Sequence, residues 1–115
     1  MRIAGIGCRP GTPPEAIIAA LHDAGGAGAL ATIPDRAPEV GAAARALGLP
    51  LHLVAVAGID TPTQSPRILA AHGTGSVAEA AAIAAAIAMG GRLIAPRRIC
   101  GTTRFPVTIA IAEVP

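Results

Sequence analysis

Gly73-Thr74-Gly75-Ser76-Val77-Ala78-Glu79-Ala80-Ala81-Ala82 is the stretch from which the rest of the chain is read. Two glycines make a turn. Ser76 is placed to accept a hydrogen bond from a free backbone N–H, and Glu79 stands three residues on. That is the Ser-x-x-Glu capping box that opens a helix. The helix runs on through Ile83 and Ile87 to Met89, and Gly90-Gly91 stop it. A glycine-rich turn leading into a helix start presents unpaired N–H groups and partial positive charge, so it can hold an anion. Between Val77 and Met89 the only charge is Glu79. Such a helix is buried, either inside the fold or between copies of the chain, which leaves a homo-oligomer open.

Working outward, strands and helices alternate. Arg2 to Gly7 reads as a short buried strand that breaks at Gly7-Cys8-Arg9-Pro10-Gly11. Thr12-Pro13-Pro14-Glu15 reads as a second capping box, and Ile17, Ile18, Leu21 and Ala24 follow at helical spacing. Gly28 to Ile33 is the next strand, and Pro34-Asp35-Arg36 turns the chain. A helix is predicted from Ala37 to Leu47, with Pro38 early and Gly48 as its stop. Leu51 to Val56 is a third strand. Gly58 to Pro66 reads as a loop, and Arg67 to Ala71 fits a helical turn or a short strand equally well. Beyond the organising helix, Arg92 to Ala95 is a fourth strand, Pro96 to Pro106 an irregular loop with Arg97, Arg98 and Arg104, and Val107 to Ala112 a final strand. The pattern predicts a single three-layer α/β/α domain over residues 1–115, built on a mostly parallel sheet of about five strands. No helix separates the last two strands, so the last is free to pair antiparallel.

Composition narrows the chemistry. Phe105 is the only aromatic residue, which excludes platforms that stack bases on aromatic rings. The nine basic residues are all arginine and the net charge is only +2, which argues against a nucleic-acid partner. Arginine suits bidentate binding of carboxylate or phosphate. Cys8 and Cys100 match no metal spacing, and the sequence calls for no metal and no cofactor. The chain reads as reduced and cytoplasmic, with no signal peptide. Its longest apolar run, Ala80 to Met89, is too short to span a bilayer, so no membrane association is expected.

In an open α/β sheet, ligands bind beyond the carboxyl ends of the strands. That edge collects Gly7, Cys8 and Arg9, Asp35 and Arg36, and Ser65, with Gly73, Thr74, Gly75 and Ser76 close by. These ten are the expected ligand-binding residues, and Thr74 with the Gly75 amide are the expected donors of the turn. A nucleotide fold is poorly matched: Gly5-x-Gly7 lacks a third glycine, and no G-x-x-x-x-G-K-[ST] occurs. Catalytic candidates are weak. Cys8 could be a thiolate activated by Arg9, but a small residue filling a tight turn explains it better. Glu79 could be a general base, but the capping box accounts for it. His72, beside the glycine turn, is the best histidine candidate. Asp60 could act as acid or base, yet aspartate is favoured in turns for its backbone hydrogen bonds.

The chain resembles the CobE/CbiG C-terminal domain family of cobalamin biosynthesis. The likeness rests on Gly5-Ile6-Gly7-Cys8-Arg9, on Thr32-Ile33-Pro34-Asp35-Arg36 with Glu39, and on Gln64-Ser65-Pro66-Arg67 running into Gly73 to Ala81. Pro96-Arg97-Arg98 and Val107 to Ala112 fit as well. Where the family often has lysine, Arg36 and Arg97 or Arg98 stand here, so charge is kept but a role needing a deprotonated lysine would not carry over. The resemblance implies a part in building the corrin ring of vitamin B12. The expected ligand is then a corrin or precorrin intermediate rich in carboxylates, bound by a free-standing carrier or accessory to other enzymes of the pathway. The alternative within the family is a hydrolase that opens the ring-A lactone of a precorrin-5A-type intermediate and releases acetaldehyde. An alternative outside it is a generic phosphate- or nucleotide-binding module.

Overall fold

β1, Arg2–Cys8, lies at the centre of the sheet in the computed structural model, which describes residues 1–101 and 104–115. Its side chains alternate between two cores. Ile3, Gly5 and Gly7 face one side, and Ala4, Ile6 and Cys8 the other. β2 (Ala29–Thr32) pairs parallel with β1, and β3 (Leu51–Leu53) parallel with β2. β5 (Val107–Glu113) pairs antiparallel with β1 along its length, and β4 (Arg92–Cys100) antiparallel with β5. The order is β3-β2-β1-β5-β4, so β5 alone runs against the other strands. The reversal follows from the short connection between β4 and β5, which leaves no room for a crossover helix.

Helices cover both faces. α1 (Pro14–Asp23) and α2 (Ala37–Leu47) bury Ile17, Leu21 and Val40 against Ile6, Leu30, Ile109 and Ile111. α3 (Pro66–His72) and α4 (Val77–Ile87) lie on the opposite face. The two interfaces are built differently. The α4 side of the sheet carries Gly5, Gly7, Ala29, Ala31, Ala110 and Ala112, and meets Ala78, Ala81, Ala82 and Ala85. Small residues on both surfaces let the helix sit close. A Cβ at Gly5 would run into the Ala78 carbonyl oxygen. Alanines thus stand where the helix and sheet backbones approach. α4 is accordingly buried within the fold over most of its surface, with Ile87 68% exposed at its end.

Several elements differ from the sequence-based expectation. Thr12 does not cap α1. Pro13 is the N-cap, and the Thr12 hydroxyl donates to the Arg9 carbonyl at 2.8 Å instead. β3 stops at Leu53, three residues early. Val54 and Val56 are apolar because they pack into the α4 core, with Ile59, after the chain has left the sheet. Residues 66–72 settle as helix, capped by the Ser65 hydroxyl, which accepts from the Ile68 amide at 3.4 Å. α4 ends at Ile87, where amides of Met89 and Gly91 both close on the Ala86 carbonyl. β4 continues to Cys100 through what reads as loop. Pro96 is tolerated there because β4 is an edge strand, and register shifts fall between Leu93 and Ala95 and between Ala95 and Arg98. Thr102 and Thr103 of the expected loop lie outside the described residues. Among the described residues no single helix is long and apolar enough to cross a membrane; only α3 and α4 together pass by length and composition, and they are bent by 56°.

Candidate functional site

The carboxyl ends of β1 and β2 open onto a cleft of about 580 Å³. β1 and the turn after it supply Gly7, Cys8, Arg9 and Pro10. Ile33 and Arg36 come from the end of β2 and the 3-10 turn Pro34–Arg36. Ser65 and α3 contribute Arg67, Ile68 and His72, and the start of α4 contributes Ser76 and Val77. β4 adds Arg97 and Ile99. Because β5 is reversed, its first residues, with Pro106 and Thr108, reach the same end of the sheet as the last residues of β1. The size suits an organic ligand rather than a simple ion.

The charge of the cleft is one-sided. Arg9, Arg36, Arg67 and Arg97 line it, and no carboxylate is among the described lining residues. Arg36 lies 3.5 Å from Glu39, a three-residue helical spacing that holds its guanidinium in place. Glu39 also accepts from the Gly11 amide at 2.9 Å, which ties the turn after β1 to the start of α2. That amide, with the Glu39 amide and Arg36, holds the Glu39 carboxyl below its ordinary range. Hydroxyls of Ser65, Ser76 and Thr108 complete the polar lining. The Thr108 hydroxyl donates to the Gly7 carbonyl at 3.1 Å and so locks the end of β1 to the start of β5.

The expected site residues divide into four groups. Gly7, Cys8, Arg9, Arg36, Ser65, Ser76 and His72 come together in the cleft. Asp35 and Gly73 lie in an adjoining shallow groove of about 440 Å³, which shares Ile33 and His72 with the cleft. Thr74, Gly75 and Glu79 sit behind the wall. Thr74 is buried and donates its hydroxyl to the Ile59 carbonyl at 2.7 Å, so it is not turned toward a ligand. Gly75 is covered by the 61–64 segment; a Cβ there would strike the Thr63 carbonyl oxygen. Asp60 is exposed on the loop and lines neither cavity.

Glu79 behaves differently from a capping-box glutamate. The first half of the box is present, since the Ser76 hydroxyl accepts from the Glu79 amide at 3.2 Å. The return bond to Ser76 is replaced. The fully buried carboxylate accepts from the Thr63 amide at 2.9 Å, the Thr63 hydroxyl at 2.9 Å and the Arg97 amide at 2.7 Å. Those bonds occupy both oxygens, and the group has no opening to the cleft. Burial pushes the Cys8 thiol above its ordinary value, only partly opposed by Thr12, so it stays protonated at neutral pH.

Arg67, Arg97, Ile68, Ile99, Pro106 and Thr108 were not singled out from the sequence as site residues. Ser65-Pro66 is a helix-start signal that would have placed Arg67 in the first turn of a helix. Arg97 has no such signal. Of the three arginines expected on one loop, Arg97 faces the cleft, Arg98 donates to the Asp23 carbonyl at the end of α1 at 2.7 Å, and Arg104 lies over the Phe105 ring at 5.3 Å.

The chain is similar to known proteins over nearly its whole length. The sequence model described as cobalamin synthesis G C-terminus matches residues 2–112. The chain is similar to the crystal structure of CobE, a protein from the cobalamin (vitamin B12) biosynthetic pathway, with a TM-score of 0.77 and 30% identity, over 100% of this chain and 91% of that one. It is also similar to the cobalamin biosynthesis protein chiG from Agrobacterium tumefaciens str. C58, with a TM-score of 0.71 and 40% identity, over 99% and 98% of the two chains. No curated protein sequence matches it. With a family match that runs from the first strand nearly to the end of the last, the chain belongs to the cobalamin synthesis G C-terminus family, and is a cobalamin biosynthesis protein of the CobE/CbiG kind.

Proposed function

We propose that this protein binds a carboxylate-rich corrin or precorrin intermediate in the cleft at the carboxyl ends of β1 and β2, as a carrier or accessory to other enzymes of the pathway. The observation that carries the reading is the lining: four arginines and three hydroxyls with no carboxylate among the described lining residues. A corrin precursor bears acetate and propionate groups around its rim, and guanidinium groups pair with carboxylates through two parallel hydrogen bonds. The start of α4 adds the partial positive charge of a helix N-terminus. Ile33, Ile68, Val77 and Ile99 give the ring system an apolar surface. Two unbridged cysteines suit the reducing cytoplasm, where we place this work.

The lactone-hydrolase reading is less well supported. It needs a nucleophile or an acid–base pair in the cleft. Glu79 is sealed behind the wall, Asp60 is outside, and Cys8 is held as a neutral thiol. His72 alone is left at the rim.

Titration with hydrogenobyrinic acid, followed by its absorption spectrum, tests the binding reading. The wild type is expected to perturb the spectrum saturably. Arg67→Ala and Arg97→Ala should each weaken affinity roughly tenfold or more, the worth of a hydrogen bond to a charged group. An unchanged spectrum would sink the reading, and stabilisation by nucleotides alone in a thermal-shift screen would replace it with the phosphate-binding one.

A further inference from the structure

Among the described residues Glu79 is the one carboxylate buried in the core, and its oxygens meet donors from two separate walls of the cleft. On one side is the 61–65 segment. The Thr61 hydroxyl donates to the Thr63 carbonyl at 2.7 Å, the Gln64 amide group to the Thr61 carbonyl at 2.7 Å, and the Ser65 amide to the Gly75 carbonyl at 3.0 Å. This segment delivers Ser65, Arg67, Ile68 and His72 to the cleft. On the other side is β4. Its ladder with β5 skips between Ala95 and Arg98, so the Arg97 amide is not spent on the sheet. It is given to Glu79 instead, and the Arg97 side chain lines the cleft.

We propose that Glu79 is a positioning residue that holds both ligand-binding walls, fixing Arg97 through its backbone amide and Ser65–Arg67 through Thr63. This rests on the cleft being the corrin site. The role explains why an acid stands there. Three donors converge on two oxygens, and two of the three are backbone N–H groups that can only donate. An amide in place of the carboxylate offers one oxygen and one NH2. Whichever way it is turned, one backbone N–H then faces another donor. Glu79 therefore acts on the ligand without touching it.

Glu79→Gln, Arg97→Ala and their double variant, compared in hydrogenobyrinic acid titrations, read the coupling. Glu79→Gln is expected to lose roughly tenfold in affinity. The share of that loss carried through Arg97 should vanish in the Arg97→Ala background, because the misplaced side chain is already gone, while the share carried through Ser65–Arg67 remains. In the Arg36→Ala background the whole loss should persist, since Arg36 is held by Glu39. A merely destabilising change would add equally in both backgrounds. Amide hydrogen exchange of the ligand-free protein gives an independent reading. Glu79→Gln should speed exchange at Thr63 and Arg97 while leaving β1 and β5 amides such as Ile6 and Ile109 protected. Unchanged exchange at Thr63 and Arg97, or equal additivity in the two arginine backgrounds, would overturn the positioning role. Failure of the wild type to bind hydrogenobyrinic acid would instead overturn the proposed function, with the exchange result still deciding whether Glu79 holds the two walls.

Discussion

Gly5 sets how near α4 can come to the sheet. It stands in the middle of β1 under the Ala78–Ala82 turn of the helix, and the obstacle to a side chain is backbone: the Ala78 carbonyl oxygen and the Ala82 amide nitrogen. Backbone cannot rotate aside as a flexible side chain can, so Gly5→Ala must push helix and sheet apart. The expected cost is about 3 kcal/mol, the upper end for overpacking a core. A drop of that order in the unfolding free energy from urea titration checks it, and a variant as stable as wild type would show that the contact is softer than the geometry indicates. At the same scale, burial works against the thiolate reading of Cys8. Arg9 stands next to it in the chain, yet the sulfur is governed by its desolvation.

At the scale of elements, α4 depends on its start. Ser76 is buried and its hydroxyl satisfies the Glu79 amide, one of the donors with no partner inside the helix. Ser76→Ala should cost about 1 kcal/mol, read as a lowered thermal or urea midpoint. The change also removes a hydroxyl from the cleft, so stability and corrin affinity should fall together. Much of this layer was legible in the sequence. α2 was readable at both ends, because Pro38 and Gly48 punctuate them and Gly48 adopts the left-handed turn a helix stop requires. The Ser76 cap was readable for the same local reason. What was hidden is non-local. Val54 and Val56 look like strand because an apolar run reads alike whether it packs within a sheet or beneath a helix. Residues 96–100 look like loop because a bulged edge strand keeps neither strict alternation nor freedom from proline. The partners of Glu79 lie 16 and 18 residues away, beyond the reach of any rule of helix ends, so the local capping box concealed the actual bonds. Part of the cleft was visible as the residues that follow β1 and β2, but Arg97 and Thr108 reach it only through the reversed pairing of β5.

For the whole molecule, β5 joins the parallel half of the sheet to β4. It pairs with β1 on one side and β4 on the other, and its side chains enter both cores, with Ala110 and Ala112 under α4 and Val107, Ile109 and Ile111 under α1 and α2. The chain ends are joined across it as well, through the Met1 amino group donating to the Val114 carbonyl at 2.8 Å. A chain ending at residue 106 is therefore expected to lose cooperative folding altogether rather than to fray. A flat thermal transition in circular dichroism would show this, and a sharp one would refute it. The outer strands have the opposite character. β3 has three residues, and β4 is broken by two register shifts and Pro96 while presenting Arg92 and Arg98 to solvent. Neither rim offers the long flat ladder onto which a strand of another molecule could add. The irregularity that frees the Arg97 amide for Glu79 thus has a colloidal consequence: it guards a chain with a net charge of only +2 against edge-to-edge aggregation when the protein is concentrated.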